Sequence, residues 1–280
     1  VIGVEMATFF SAIGTEVTII ELMPHILPTE DEDIAQTLAA TLKKQGVRIV
    51  TGARTRTVVT EEGGYLLTLD VNGETQEVHG QHVLLSIGRK AVLGPELAAL
   101  GIVTSSKGIV VDDHMRTSLP GVYAVGDVKG TFMLAHVAEK EGVVAAENIA
   151  GRDSHMAYAA VPSVIFTDPE ISVVGKRESE LRAEGIPYRV GTFPVSASGK
   201  ARTMEESVGF AKVLVHAETH QVLGVALYCP EATDLVMEPV LAVELGLTAE
   251  QLLEAIHPHP TMTEMMLEAT EASIGLPLQM

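Results

Sequence analysis

The sequence predicts an α/β chain with more than one domain, and three observations carry that expectation. Helical and strand patterns alternate over residues 1–90. From residue 163 onward, strands come first and helices after them, the order of an α+β layer structure. The length of 280 residues, 46% of them hydrophobic, is enough for about two domains of ordinary size.

Val1 to Ile13 carries apolar residues on a helical period and stops at Gly14, a natural C-cap. Val17 to Ile20 reads as a buried strand closed by Glu21. Thr29-Glu30-Asp31-Glu32 reads as a capping box that opens a second helix. The core stripe of that helix is Ile34, Leu38 and Leu42, with Ala35 and Ala39 beside them, and Gly46 ends it. Val47 to Val50 is the next strand, followed by β-rich segments around Val58 and from Leu66 to Val71. Asn72-Gly73 is the hairpin turn. His82 to Ile87 is expected to be a strand entering Gly88-Arg89. Helix, strand, helix, strand and then a meander describe a doubly wound, Rossmann-like unit without its first strand.

Strands are expected again at Ile109 to Val111 and Val122 to Val125, then a helix from Leu134 to Ala150 and a linker over Gly151 to Ala160. The last domain has strand patterns at Ser163 to Phe166, Ile171 to Val174, Tyr188 to Phe193, Gly209 to Val215 and Val222 to Leu227. Its helical patterns run from Ala232 to Glu244, Ala249 to Ile256 and Thr261 to Ala272. Trp is absent and aromatic content is 4%, so Val, Ile, Leu, Ala and Met must build the core.

A formal net charge of -18 disfavours nucleic-acid and anionic-membrane partners, both of which require basic surface. No apolar run reaches the roughly 18 residues of a membrane-spanning helix, and no basic-then-apolar leader opens the chain. The single cysteine, Cys229, excludes an intrachain disulfide and fits a cytoplasmic protein. It follows an apolar strand, the position of a buried structural thiol. Residue 1 is valine inside a helical pattern, so the chain is expected to be a fragment of a longer one.

Three segments carry chemistry. Gly3 and Glu21, separated by a helix and a strand, have the relation of the last glycine and the ribose-binding acid of a dinucleotide fold. An acid there favours NAD over NADP. In Thr117 to Asp127, a strand ends in Gly126-Asp127, which can place a carboxylate on a ribityl or ribose hydroxyl. In His257-Pro258-His259-Pro260-Thr261-Met262-Thr263-Glu264, a carboxylate five residues from a histidine can hold the imidazole in one tautomer, as a general base needs. The competing reading is a turn with a Thr261–Glu264 capping box. Met262, Met265 and Met266 read as core or interface. His79, His82, His114 and His155 have no metal-ligand spacing, so no metal is expected.

Together with Val1 to Glu5, Ser86-Ile87-Gly88-Arg89, Met133 to His136 and Val161 to Glu170, these segments occur in one order. In that order the chain resembles the C-terminal part of the flavin-dependent pyridine nucleotide-disulfide oxidoreductases over essentially its whole length. The resemblance implies an NAD-binding domain over 1–91, the remainder of an FAD-binding domain over 92–150 and an α+β dimerisation domain over 151–280. Gly3, Glu5, Glu21 and Gly88 would then serve NAD, with Glu5 close to both nicotinamide and flavin. Asp127 would bind the FAD ribityl chain, and Met133, Leu134, Ala135 and His136 would lie along the flavin at a helix N-terminus. His259 would be the acid-base, oriented by Glu264, and would reach the active site of the other subunit of a homodimer.

The likeness is strongest to members that reoxidise dihydrolipoyl groups. It implies as partners the lipoyl domains of 2-oxo acid dehydrogenase complexes or of the glycine-cleavage system. Glu21 argues against the NADP-linked glutathione reductases, the absence of vicinal C-terminal cysteines against mercuric reductase, and His259 against soluble transhydrogenases. A non-catalytic NAD-binding or dimerisation module is the alternative of another class. The family's redox disulfide and first FAD-binding glycine turn have no counterpart here, so the chain alone is expected to be inactive.

Overall fold

The computed structural model describes residues 1–276. These divide into two compact units: residues 1–86 with 162 onward, and residues 87–161. No helix among the described residues is long and apolar enough to cross a membrane.

The first unit opens with α1 (Ile2–Ala12), β1 (Thr18–Ile20), α2 (Glu32–Lys44) and β2 (Arg48–Val50). β1 and β2 pair in parallel, with Ile19 opposite Ile49, the pairing a doubly wound unit requires. The predicted stripe of α2 is buried at Ile34, Ala35, Leu38 and Leu42. A three-stranded antiparallel meander follows: β3 (Ala53–Glu61), β4 (Gly64–Val71) and β5 (Glu74–Gly80). Its second turn has positive φ at both Asn72 and Gly73, the backbone of a type I′ hairpin.

Two expectations fail in this region. His82 to Ile87 forms no strand, and Leu84, Leu85 and Ile87 are exposed. The segment has β-type composition, yet no strand among the described residues pairs with it, and a strand without a ladder is only an extended segment. Nor does Thr29 cap α2. The N-cap is Asp31, whose side chain makes no cap bond, because the acids at this turn are engaged elsewhere in the unit. Glu30 receives two hydrogen bonds from the Arg177 guanidinium at 2.9 and 3.0 Å. Asp31 and Asp33 lie 3.0 and 2.8 Å from the Lys212 ammonium.

The second unit is sparse in regular structure. It holds the single turn α3 (Glu96–Ala99), a 3-10 turn at Gly126–Lys129, and α4 (Ala135–Ile149). The strands expected at 109–111 and 122–125 shrink to isolated bridges, Thr104 with Ile109 and Arg116 with Tyr123. The 151–160 segment folds back on its own unit: Met156 N–H donates to Asp113 O at 2.8 Å, and Asn148 Nδ2 donates to Ser154 O at 2.7 Å.

The first unit resumes with β6 (Ser163–Ile165), β7 (Glu170–Gly175), α5 (Glu178–Glu184), β8 (Tyr188–Pro194), α6 (Gly199–Thr203), β9 (Phe210–His216) and β10 (Val222–Cys229). These strands form a five-stranded antiparallel sheet in the order β6-β7-β10-β9-β8. α7 (Ala232–Leu235), α8 (Met237–Glu244), α9 (Ala249–Leu253) and α10 (Glu264–Ser273) complete it. The predicted single helix from 232 to 244 is interrupted at Val236. Pro239 has no N–H for the carbonyl of Leu235 and its ring crowds that group, so it is tolerated only in the first turn of a new helix. α5 and α6 were not expected from the periodicity; both are too short to show one.

One core joins the two stretches of this unit. Val4, Ile34, Leu38 and Leu42 pack with Ile165, Ile171, Val173 and Tyr228, and the Tyr228 hydroxyl reaches Thr41 Oγ1 at 3.0 Å. α10 lies on β8 so closely that a Cβ at Gly191 would collide with Ala269 O and Ser273 N. Gly191→Ala is therefore expected to destabilise the protein by about 1–3 kcal/mol through overpacking. A denaturant or thermal melt checks it, and an unchanged midpoint would show that the helix does not pack that tightly.

Candidate functional site

In the His257–Glu264 segment, the structure distinguishes two histidines that the sequence offers side by side. His259 Nδ1 lies 2.8 Å from Glu264 Oε1, and its side chain is 77% exposed. The ionised carboxylate can only accept, so Nδ1 carries the proton and Nε2 keeps its lone pair. His257 is 7% exposed at the side chain and spent at both nitrogens. Nε2 lies 2.9 Å from Glu238 Oε1 and Nδ1 lies 3.2 Å from Ala255 O. One imidazole is therefore a lock between α8 and the loop after α9, and the other keeps one ring nitrogen open to solvent.

Glu264 serves both readings of the segment, one oxygen for each. Oε1 holds His259, while Oε2 accepts from Thr261 N–H at 2.8 Å. The Thr261 hydroxyl turns back to Pro258 O at 2.7 Å instead of capping, so only the glutamate half of the expected capping box forms. This is why α10 starts at Glu264 and not at Thr261. Partial burial pushes the Glu264 carboxyl up. The Thr261 N–H and His259 outweigh it and leave the carboxyl below the usual range. The carboxylate therefore stays charged in neutral solution and can stabilise an imidazolium. Met262, Met265 and Met266 are buried beneath the segment.

In the same unit, Glu21 stands at the carboxyl end of the parallel strand β1, the edge where doubly wound sheets receive ligands. Its Oε1 accepts from Met23 N–H at 2.8 Å. Gly3 sits in the first turn of α1, where an added Cβ would only touch Ser86 Cβ at 3.5 Å. Glu5 Oε1 accepts from Phe166 N–H at 3.0 Å.

In the second unit, Gly88 has φ of +114°, a conformation that favours glycine. Beside it, Arg89 Nη2 reaches Asp127 Oδ2 at 3.2 Å. Asp127 lies in the 3-10 turn that leads toward α4. Met133 and Leu134 precede that helix, and Ala135 and His136 begin it. Its first turn has no acidic residue and no side-chain cap, which leaves its positive dipole end uncompensated.

The turn bearing Asp127 is anchored from below by residues the sequence reading missed. Gly126 N–H donates to Glu141 Oε2 at 2.7 Å, and Lys129 Nζ donates to Glu141 Oε1 at 2.6 Å. The Tyr158 hydroxyl also bonds Glu141, at 2.8 Å. Burial and the Glu141 carboxylate push the Tyr158 phenol up. The signal was available: Glu141 occupies the buried stripe of α4 with Val137, Val144 and Ala145, where an acid needs a partner. Cys229 is buried at the end of β10. Burial, with Glu170 and Glu231 nearby, pushes its thiol up to about 12, so it is no nucleophile.

The family model described as pyridine nucleotide-disulphide oxidoreductase matches residues 1–142. The model for that family's dimerisation domain matches residues 161–270. Among curated proteins, the chain is 38% identical to the dihydrolipoyl dehydrogenase of Geobacillus stearothermophilus, over 99% of the chain and 59% of that protein. It is 40% identical to the one from Cupriavidus necator, over 97% of the chain and 58% of that protein. Among solved structures, LpdA from Mycobacterium tuberculosis superposes with a TM-score of 0.88 at 29% identity, covering 96% of the chain and 59% of LpdA. The HOCl-induced flavoprotein disulfide reductase RclA from Escherichia coli gives 0.88 at 26% identity, over 99% of the chain and 63% of RclA. The chain thus spans about 60% of the length of the relatives it matches.

Proposed function

The chain belongs to the pyridine nucleotide-disulphide oxidoreductase family, and from that membership we propose that it forms part of an NAD- and FAD-dependent dihydrolipoyl dehydrogenase. The observation that carries the reading is the His259–Glu264 pair: a base held in one tautomer with Nε2 open to solvent. In this reading, His259 Nε2 takes the proton of a dihydrolipoyl thiol, and the Glu264 carboxylate stabilises the imidazolium that results. The thiolate so formed is the species that can attack a disulfide. That disulfide cannot come from this chain, whose one cysteine is buried.

The remaining residues fit the two cofactors. Glu21, at the carboxyl end of β1, has the acceptor oxygens that an adenosine ribose needs, with Gly3, Glu5 and Gly88 as the further NAD-binding residues. Asp127 and the uncapped α4 N-terminus, with Met133, Leu134, Ala135 and His136, suit a ribityl hydroxyl and an electron-rich ring. When bound, flavin and nicotinamide supply the two-electron transfer that no side chain here can perform.

A dimerisation-domain match over residues 161–270 supports a homodimer in which His259 serves the partner's site, where docking would shield its exposed ring from water. Lipoyl domains are the proposed partners and the cytoplasm the proposed compartment.

The test is NAD-dependent oxidation of dihydrolipoamide by the protein purified from its source with its flavin. Turnover is expected there, and none from the isolated 280-residue chain. Turnover by the isolated chain, or a source protein that binds NAD but oxidises no dithiol, would overturn the reading. The second result would favour a binding module.

A further inference from the structure

Asp113, His114 and His155 come together in the second unit although nothing in their sequence spacing suggests it. One donor atom from each lies within 4.8 Å of the others, and the two imidazole rings are 4.1 Å apart, centroid to centroid. We propose that these three side chains, with Asp153 in reach, bind a first-row divalent cation of the zinc class.

The backbone beneath them is set by hydrogen bonds that use none of the three side chains. Asp112 Oδ1 accepts from His114 N–H and Arg116 N–H at 3.0 and 2.8 Å, which fixes the turn bearing Asp113 and His114. Asn148, buried in α4, holds Ser154 O at 2.7 Å. Met156 N–H closes on Asp113 O at 2.8 Å. Two loops distant in sequence are thereby held in one place before any ion arrives.

The ring of His114 is oriented for coordination. Its Nδ1 donates to Ser154 O at 3.0 Å, so Nε2 is the nitrogen with the lone pair. A backbone carbonyl on the far nitrogen is the usual support of a metal-binding histidine. That lone pair lies 3.7 Å from Asp113 Oδ1. A lone pair facing a carboxylate oxygen repels it unless a proton or a cation stands between them. His155 closes the other side, with Nδ1 2.8 Å from Asp113 Oδ2 and Nε2 3.4 Å from Asp153 Oδ1.

Two imidazoles and a carboxylate select zinc, nickel or copper over calcium and magnesium, which take oxygen donors. Bonds of about 2.0–2.2 Å at tetrahedral angles put donors roughly 3.4 Å apart, so donors that lie within 4.8 Å of one another must close by up to about 1.4 Å. Asp113 and His155 have the exposed, movable side chains to do so, 58% and 53% open, while His114 stays fixed at 16%. A bound ion would staple the 112–116 turn to the 151–156 segment.

The experiment is zinc titration of the untagged, metal-stripped source protein, competed against a chromophoric chelator. The same titration is run on His155→Ala, Asp113→Asn and, as control, His79→Ala, which removes an exposed histidine paired with Glu61. His155 is exposed, so its variant should fold. We expect one zinc equivalent to be lost or weakened at least about 10-fold in His155→Ala and Asp113→Asn but not in His79→Ala. Equal stoichiometry and affinity in all four proteins would place any zinc elsewhere and overturn the proposal. So would the absence of zinc binding, which would leave the cluster a surface His–Asp ion pair.

Discussion

On the proposed function, replacing His259 with glutamine in the source protein is expected to lower dihydrolipoamide oxidation by about 10²–10⁴-fold, with kcat and kcat/KM falling together. Glutamine keeps polarity and approximate size but cannot accept a proton at this position. The side chain is 77% exposed, so thermal stability should barely change. His257→Gln is the matched contrast. It breaks a ring locked to Glu238 and to Ala255 O, so it should lower stability more than it lowers turnover. A larger kinetic loss in His257→Gln than in His259→Gln would reverse the assignment. So would a His259→Gln enzyme within about 10-fold of full activity. The Glu264 carboxyl is held below the ordinary 4.5. Its orienting charge is therefore complete above that pH and is lost only as pH falls through the depressed folded value.

Lys212→Met is expected to destabilise the protein by about 3–5 kcal/mol at neutral pH. Lys212 is buried on β9 with its ammonium among Asp31, Asp33 and Glu178, at 3.0, 2.8 and 3.2 Å. Burial pulls the lysine down, but its two aspartates outweigh that and raise it above 10.5. Burial pushes Asp31 up, but Lys212 and the N–H groups of Glu178 and Ser179 outweigh that and hold it below 3.8. By linkage, the Lys212 contribution is complete below pH 10.5 and fades as pH rises through its folded value. The Asp31 contribution is complete above 3.8 and fades as pH falls through its own.

Methionine fills the volume but leaves the carboxylates to repel one another, with Glu178 still paired to Arg182. Protonation relieves that repulsion, so the deficit of the variant should narrow as pH drops from 7 toward about 4. Denaturant melts of both proteins across that range check it. A deficit independent of pH would mean that lost packing, not lost charge, sets the cost.

These two results rest on residues of very different legibility. The His259–Glu264 pair could be read from the chain because its members are five positions apart, within reach of local backbone geometry. The α2 stripe and the Asn72-Gly73 turn were legible for the same reason: period and turn chemistry are properties of adjacent residues. The role of Asp31 was not. Its partner is 181 positions away, so the acids at the start of α2 looked like helix-capping groups when they bind a lysine on β9. The segment from His82 to Ile87 failed in the opposite way. Its composition favours a strand, but ladder hydrogen bonds belong to a pair of segments, and no partner is among the described residues.

The sequence by itself determined the fold class and the family, because both are written in local pattern and motif order. The tertiary structure decided which of two neighbouring histidines is free, through Glu238 on α8. It decided which acid anchors the Asp127 turn, and it set His114 beside His155. These assignments depend on the burial and pairing of charges and on the direction of lone pairs. Such quantities exist only once distant parts of the chain have excluded water from one another.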